Sequence, residues 1–359
     1  MASFSRLATA LLAVGLLPSQ LAATPVESAS PLFGKHLSWK LTPTGTTAQF
    51  RGLAPVSGKI AWVAGSQGTV LRTTDGGATW EAVGPSLDEE DKGLEFRDVQ
   101  AWSKDRAIVL SIGEGTDSRV YVTDDGGESW TRTFTNEEPT AFYNCIDFES
   151  PEHGFAVGDP VDSKFRLIET TDSGATWSIV DPAGMPDALD GEFGFAASGT
   201  CLSTAAGRWY LASGGVDPGR IFHSNDGHEW TATNSALAGG PAGGVFSVQF
   251  RDAKHGLAVG GDFEDPTGNQ NNAAWSADGG ATWKASKKFP GGYRSGASWV
   301  PGLPTVALAV GPTGSDFTLD GGRRWHNFDN GTFDSVECLN AFTCWASGSR
   351  GRVARLSLG

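Results

Sequence analysis

The sequence predicts an all-β fold: a seven-bladed β-propeller of four-stranded blades, its ring closed by pairing the N- and C-terminal strands within one blade. Three observations carry this prediction. An eight-residue motif returns six times, the two ends of the chain supply complementary parts of a seventh unit, and the composition suits short strands joined by tight turns. Gly is abundant (49 of 359 residues), with 13 Trp and 20 Phe. Aromatic residues favour strands and Gly favours turns, whereas helix-period stretches are scarce.

The first segment stands outside the fold. Met1 to Ala23 has one early cation, Arg6, then the apolar run Leu7 to Leu17, and closes on Ser19-Gln20-Leu21-Ala22-Ala23. The run is too short to span a bilayer as a helix and ends in the small residues a signal peptidase reads, so residues 1–23 are expected to be an export signal. Residues 24–35 then form a short linker and 36–359 a single propeller domain. No later segment has 18 uninterrupted apolar residues, so no membrane span is expected and the mature protein should be soluble, secreted or periplasmic.

The repeat itself is Thr73-Thr74-Asp75-Gly76-Gly77-Ala78-Thr79-Trp80. It returns around Asp125 and Asp172, and again around Asp278; a copy at Asp320 has Arg324 in place of the hydroxyl before Trp325, and one at Asp226 is a residue short. The six aspartates lie 50, 47, 54, 52 and 42 residues apart, the length of one four-stranded blade. These are copies of Ser/Thr-x-Asp-x-Gly-x-Ser/Thr-Trp, the Asp-box or BNR signature. Asp accepts backbone N–H bonds inside the turn, Gly supplies a left-handed position and Trp fills the space between sheets. Each box therefore closes the hairpin between third and fourth strands. The ligand spacing of a calcium loop is absent, and no metal is expected.

At the C-terminus, Cys344-Trp345-Ala346-Ser347-Gly348 parallels Ala61-Trp62-Val63-Ala64-Gly65, but the chain stops before any box. The missing fourth strand is found at Ser38-Trp39-Lys40-Leu41, which resembles the segment after each box. Pairing the two removes the free sheet edges that an open ring would leave.

Four cysteines in an exported chain are expected to pair. Cys338 and Cys344 bracket one hairpin, and Cys145 with Cys201 would bridge neighbouring units. The net charge of −14 argues against nucleic acid as a partner, because an acidic surface repels polyphosphate. His153 and His255 each precede a Gly at matching turns of the repeat, and no nucleophile elbow, dinucleotide fingerprint, haem-attachment motif or metal cluster is present, so no cofactor is expected. Asn330-Gly331-Thr332 is a glycosylation sequon, meaningful in a eukaryotic source.

Together with Gly-Phe-Ala-Val-Gly at 154–158 and Gly-Leu-Ala-Val-Gly at 256–260, the boxes resemble the photosystem II stability/assembly factor family and its non-photosynthetic bacterial relatives. The resemblance spans about residues 36 to 356. It implies the propeller and an assembly-type role; the oxidoreductase label that some bacterial relatives carry has no support in the motifs. Asp-box propellers also include sialidases. Here Phe50-Arg51-Gly52-Leu53 sits where a sialidase carries Phe/Tyr-Arg-Ile-Pro, but the Ile-Pro is missing, as is a recognisable Tyr nucleophile with its Glu. Seven units also differ from the six blades of sialidases.

Binding sites in propellers usually lie at the axial funnel, here the face opposite the boxes. Aligning the units places Arg51, Arg97 and Arg294 at the entries of inner strands, each after an aromatic, with Tyr143 in the same register. Converging guanidiniums would hold a carboxylate or sulfate. The loops joining strands two and three bring Glu114, Asp159, Asp217, Asp262 and Glu264 to that face, and loop 261–272 is long enough to form a rim. The ligand-binding candidates are thus Arg51, Arg97, Tyr143, Asp159, Asp262 and Arg294. Two functions are open: a module binding a small anionic or glycan ligand or a protein partner at the funnel, or a glycan-active hydrolase or lyase using Glu114 and Asp159 as acid and base.

Overall fold

The computed structural model describes residues 37–358, so the expected export signal, the linker and His36 lie outside the described residues. Every box closes its hairpin as expected, and seven four-stranded antiparallel sheets follow one another in chain order. Their inner strands are Phe50–Pro55, Glu95–Ala101, Tyr143–Phe148, Leu202–Ala205, Gly243–Phe250, Gly296–Trp299 and Ser335–Asn340, which define blades 1 to 7. Each inner strand neighbours the next, and that of blade 7 returns to blade 1. Ser38–Leu41 completes blade 7 by pairing with Val353–Ser357 in the register Trp39 opposite Leu356. Among the described residues the only helical elements are two 3₁₀ turns, Gly115–Asp117 and Pro182–Gly184.

The boxes are self-satisfied turns. In the first, Thr73 Oγ1 and the Thr79 amide donate to one oxygen of Asp75, and Thr79 Oγ1 donates to the other at 2.7 Å. These bonds, led by the Thr79 amide, hold the Asp75 carboxyl down at about 2. Gly77 adopts φ +85°, and a Cβ there would lie 2.5 Å from Thr42 of the adjoining blade, so no other residue fits the turn. In the copy lacking its hydroxyl, the Arg324 guanidinium takes that place on Asp320, 3.3 Å away. The box tryptophans pack between blades: Trp80 meets Trp345 of blade 7 edge-on at 6.1 Å, and Trp130 meets Trp62 of blade 1 at 6.3 Å.

Both expected disulfides are formed. Cys338–Cys344 staples the first hairpin of blade 7, and Cys145–Cys201 joins blade 3 to the start of blade 4. Among the described residues no helix is long and apolar enough to cross a membrane.

Closure at the shared blade rests on Trp39. Its ring packs on Phe328 and Phe333 at 5.9 and 5.4 Å, and its Nε1 donates to Ser315 Oγ of blade 6 at 2.9 Å. Trp39→Ala removes both the packing and the bond. It is expected to lower unfolding free energy in urea by about 3–5 kcal/mol, the usual cost of deleting a buried Trp. A change below about 1 kcal/mol would mean that the terminal strand does not hold the ring closed.

Candidate functional site

The inner strands enter the ring with a recurrent irregularity. In blades 1, 2, 3 and 5 one extra residue interrupts the ladder with the second strand: Arg51, Arg97, Asn144 and Phe246. Such bulges re-aim a side chain out of the sheet. All four line one cavity of about 620 Å³ at the funnel. In blade 7 Ser335 pairs with Ser347 as Gly52 pairs with Ala64, so Asp334 occupies the corresponding place, and it lines the same cavity.

The floor is a segment that sequence comparison between units does not reveal. Residues 195–200, ahead of the inner strand of blade 4, cross the axis as a plug. The Ala196 carbonyl accepts from Arg51 Nη1 at 3.2 Å and from Arg97 Nη1 at 3.4 Å. Ser198 Oγ donates to the Ser295 carbonyl of blade 6, Ser335 Oγ of blade 7 donates to the Ser198 carbonyl, and Thr200 Oγ1 donates to Ser247 of blade 5. Gly199, at φ +74°, passes so close to Asp98 that a Cβ would sit 2.4 Å from the carboxylate. The next residue but one is Cys201, tethered to blade 3. The plug thereby touches every blade of the ring.

Above this floor the funnel has two unlike walls. One is cationic: Arg51 and Arg97 each keep a buried Nε without a hydrogen-bond partner. Burial first, and then the nearby Arg51 charge, bring the Arg97 guanidinium down to about 10, which leaves it charged at neutral pH. Glu95 offsets this with a loose contact at 3.7 Å. Asp334 is raised above the usual carboxylate range by burial and accepts from Gln49 Nε2 at 3.1 Å. The other wall is aromatic. Phe195 stacks on Phe246 with centroids 3.6 Å apart, Tyr293 meets Phe246 at 4.6 Å, and Phe263 stands 6.4 Å from both Phe195 and Phe246. Phe263 belongs to loop 261–272 and is 48% exposed, so this loop does form part of the rim.

The sequence-derived candidates distribute unevenly. Arg51, Arg97 and Asp159 line the funnel together. Tyr143 occupies the buried aromatic place behind the bulge, like Phe50 and Phe96, and packs on Phe134 at 5.5 Å. Arg294 is fully buried and ion-paired with Asp316, its Nε 2.7 Å from a carboxylate oxygen. In that blade Tyr293 faces the funnel instead. Asp262 caps the amides of Glu264 and Asp265 in its own loop, and Asp217 accepts from the Gly239 amide. Glu114 bridges to Phe142 but is not among the residues lining the cavity, so the structure does not bring it together with Asp159 there.

Beneath the plug a second, polar level surrounds the axis. Gln100, Asp147, Thr204, Gln249, Ser298 and Glu337 occupy equivalent register positions in six of the inner strands, and the seventh carries Ala54 there. Burial pushes the Asp147 carboxyl up to about 7, and burial with the Asp147 charge pushes Glu337 up to about 8.

A BNR/Asp-box repeat family model matches residues 121–132. The photosystem II assembly lipoprotein Ycf48 of Synechococcus sp. (strain CC9902) is 30% identical over 79 residues, 22% of this chain and 22% of that protein. The matched stretch thus spans about a fifth of that relative's length. Among solved structures, YCF48 bound to D1 peptide aligns with a TM-score of 0.62 at 16% identity, covering 88% of this chain and 94% of that one. YCF48 from Cyanidioschyzon merolae gives the same score and identity, with 88% and 98% covered. A GH74 enzyme of Niastella koreensis reaches 0.61 at 12% identity, covering 88% of this chain and 53% of its own. The chain is a seven-bladed propeller carrying Asp boxes; its likeness to the YCF48 and GH74 structures, at 16% and 12% identity, extends to the fold alone, and its sequence likeness to Ycf48 extends to those 79 residues.

Asp159 accepts from Asn144 Nδ2 at 2.7 Å and from the Gly194 amide at 2.8 Å, yet burial outweighs both bonds and raises it to about 6. A carboxyl raised on folding contributes stability below its unfolded value near 4, which is lost as pH rises through 6. Asp159→Asn is therefore expected to gain on wild type across pH 4 to 6 by up to about 3 kcal/mol, with no further change above pH 7. Urea unfolding at each pH measures it, and parallel profiles for the two proteins would show that the funnel does not perturb this group.

Proposed function

We propose that the protein is an exported assembly-type module whose funnel binds an extended segment of a partner protein. The segment presents a carboxylate to Arg51 and Arg97 and apolar side chains to the shelf of Phe195, Phe246, Phe263 and Tyr293. The observation that carries this reading is the pairing of two adjacent guanidiniums, each with an unpartnered Nε, with an aromatic wall across one cavity. Glu95 and Asp334 offset part of the repulsion between the two guanidiniums, and an anionic group lying between them would offset more while gaining charge-assisted hydrogen bonds. Aromatic shelves bind apolar side chains with little loss of their own freedom. The Ycf48 structure bound to a D1 peptide supports a polypeptide as the occupant on this fold. The two disulfides, Cys145–Cys201 and Cys338–Cys344, are consistent with an oxidising, exported setting.

A panel of fluorescent nonapeptides, each with one Asp, Glu or free C-terminal carboxylate flanked by Leu or Phe, tests the reading by anisotropy. Members carrying both features should bind, and the Arg51→Ala, Arg97→Ala double variant should weaken them at least tenfold, as expected for lost charge-assisted bonds. Amidated or all-polar members should bind weakly. Equal binding by wild type and the double variant would refute the proposal. Mass spectrometry of neutral and acidic oligosaccharides incubated with the same two proteins covers the glycan-active alternative: cleavage lost in the variant would replace the binding role with a hydrolase or lyase.

A further inference from the structure

The polar level beneath the plug has no part in the funnel reading. It encloses a cavity of about 130 Å³ on the axis, roofed by Ser198 to Thr200 and walled by inner strands. Two carboxylates, Asp147 and Glu337, line it, and no Lys, Arg or His does. Asp147 is anchored: its two oxygens accept the amides of Phe148 and Thr204, each at 2.8 Å. Every carboxylate oxygen has two lone pairs, so these bonds fix Asp147 and leave acceptor capacity free.

Glu337 accepts no hydrogen bond among the described residues, although its equivalents Asp147 and Ser298 each accept an amide of the following blade. Ser203 Oγ, in a residue only 4% exposed, also lacks a partner, and Ser203 lines the same cavity. Gln249 and Ser298 add neutral oxygens to the wall. These same two residues, with Glu337, also line a cleft of about 630 Å³ on the box face, so the cavity meets solvent at Glu337.

Paired acids without a cationic side chain, beside an unpartnered buried hydroxyl and carbonyl-bearing side chains, make a set of hard oxygen donors. There is no nitrogen or sulfur ligand to favour zinc or copper. The donors project from separate strands of a rigid ring, which suits the adaptable six- to eight-oxygen shell of calcium better than the compact octahedron of magnesium. The volume accepts one ion with about two or three waters, each occupying roughly 30 Å³.

We propose that this axial cavity is a calcium site, with Glu337 and Asp147 supplying the charge, Ser203 and its polar neighbours completing the shell, and entry from the box-face cleft past Glu337. The ion would tie blades 3, 4 and 7 together across the axis beneath the plug. It is independent of what the funnel binds.

The test is equilibrium dialysis of the EDTA-treated full chain against labelled calcium, with thermal unfolding read in parallel. Wild type should take up one ion per chain saturably and melt at a higher temperature with calcium than with magnesium. Glu337→Gln should bind at least tenfold more weakly and lose most of the calcium-dependent rise, whereas Asp75→Asn, in an exposed box, should match wild type. Ser203→Ala, a smaller change, should weaken uptake severalfold and serves where Glu337→Gln folds poorly. The proposal fails if wild type shows no saturable uptake up to about 10 mM, beyond the range of weak protein calcium sites. It also fails if uptake is unchanged in both cavity variants.

Discussion

An inner strand of a propeller blade pairs on one side only, and its other edge faces the axis, where backbone groups have few partners. A buried amide left unpaired costs about 1–3 kcal/mol, so seven such edges would be untenable. The ring resolves this by lending side chains from one blade to the backbone of the next. Asp98 accepts the Ile146 amide, Asp147 that of Thr204, Ser247 that of Ala297 and Ser298 that of Cys338, while the Ser335 hydroxyl shares its one proton between the Arg51 and Ser198 carbonyls. Asp98 is almost fully buried for this purpose, and burial drives its carboxyl well above the ordinary range. Polar side chains near the axis are thus a structural requirement, and the candidate sites are arranged around them.

The plug applies the same solution to the one place where the channel would stay open. Its carbonyls and hydroxyls are shared among several blades, and the Cys145–Cys201 bond holds its end. Because the Ala196 carbonyl accepts from both Arg51 and Arg97, the plug also sets the spacing of the cationic wall. The bulges complete the division of labour. The aromatic residue before each bulged arginine stays in the core, as Phe50 and Phe96 do, and the arginine turns to the funnel. Binding chemistry is therefore carried by residues whose neighbours are fixed by packing.

This arrangement explains which features are readable in the sequence. The boxes are local turns whose Asp, Gly and Trp act within a few residues of one another, so the blade count and the closing strand can be read from spacing; Cys338–Cys344 is legible as a hairpin staple, and Cys145–Cys201 only as the pair that remains. Arg51, Arg97 and Asp159 are reachable by aligning units. That alignment misplaces Arg294 by one position, because Gly296 rather than Ser295 pairs with Val310, so Arg294 falls in the core place of Phe50 and Tyr293 takes the funnel. Asn144 and Phe246 share the bulge without sharing residue type, and only the register identifies them. The plug has no counterpart in other units; its sole trace is the long stretch between the box at Asp172 and the strand at Leu202. Glu337 and Asp147 read as scattered acids because their proximity arises from ring closure.

If the funnel, with its floor fixed by the plug, is the working face of the ring, a bound ligand should quieten that face alone. Hydrogen–deuterium exchange of the full chain, with and without a saturating carboxylate-bearing apolar peptide, reads this out segment by segment. New protection is expected only in residues 49–51, 95–97, 193–197 and 261–264, with the box turns unchanged. Protection appearing instead at the boxes or outer strands would contradict a working funnel and move the functional surface to the opposite face or the rim.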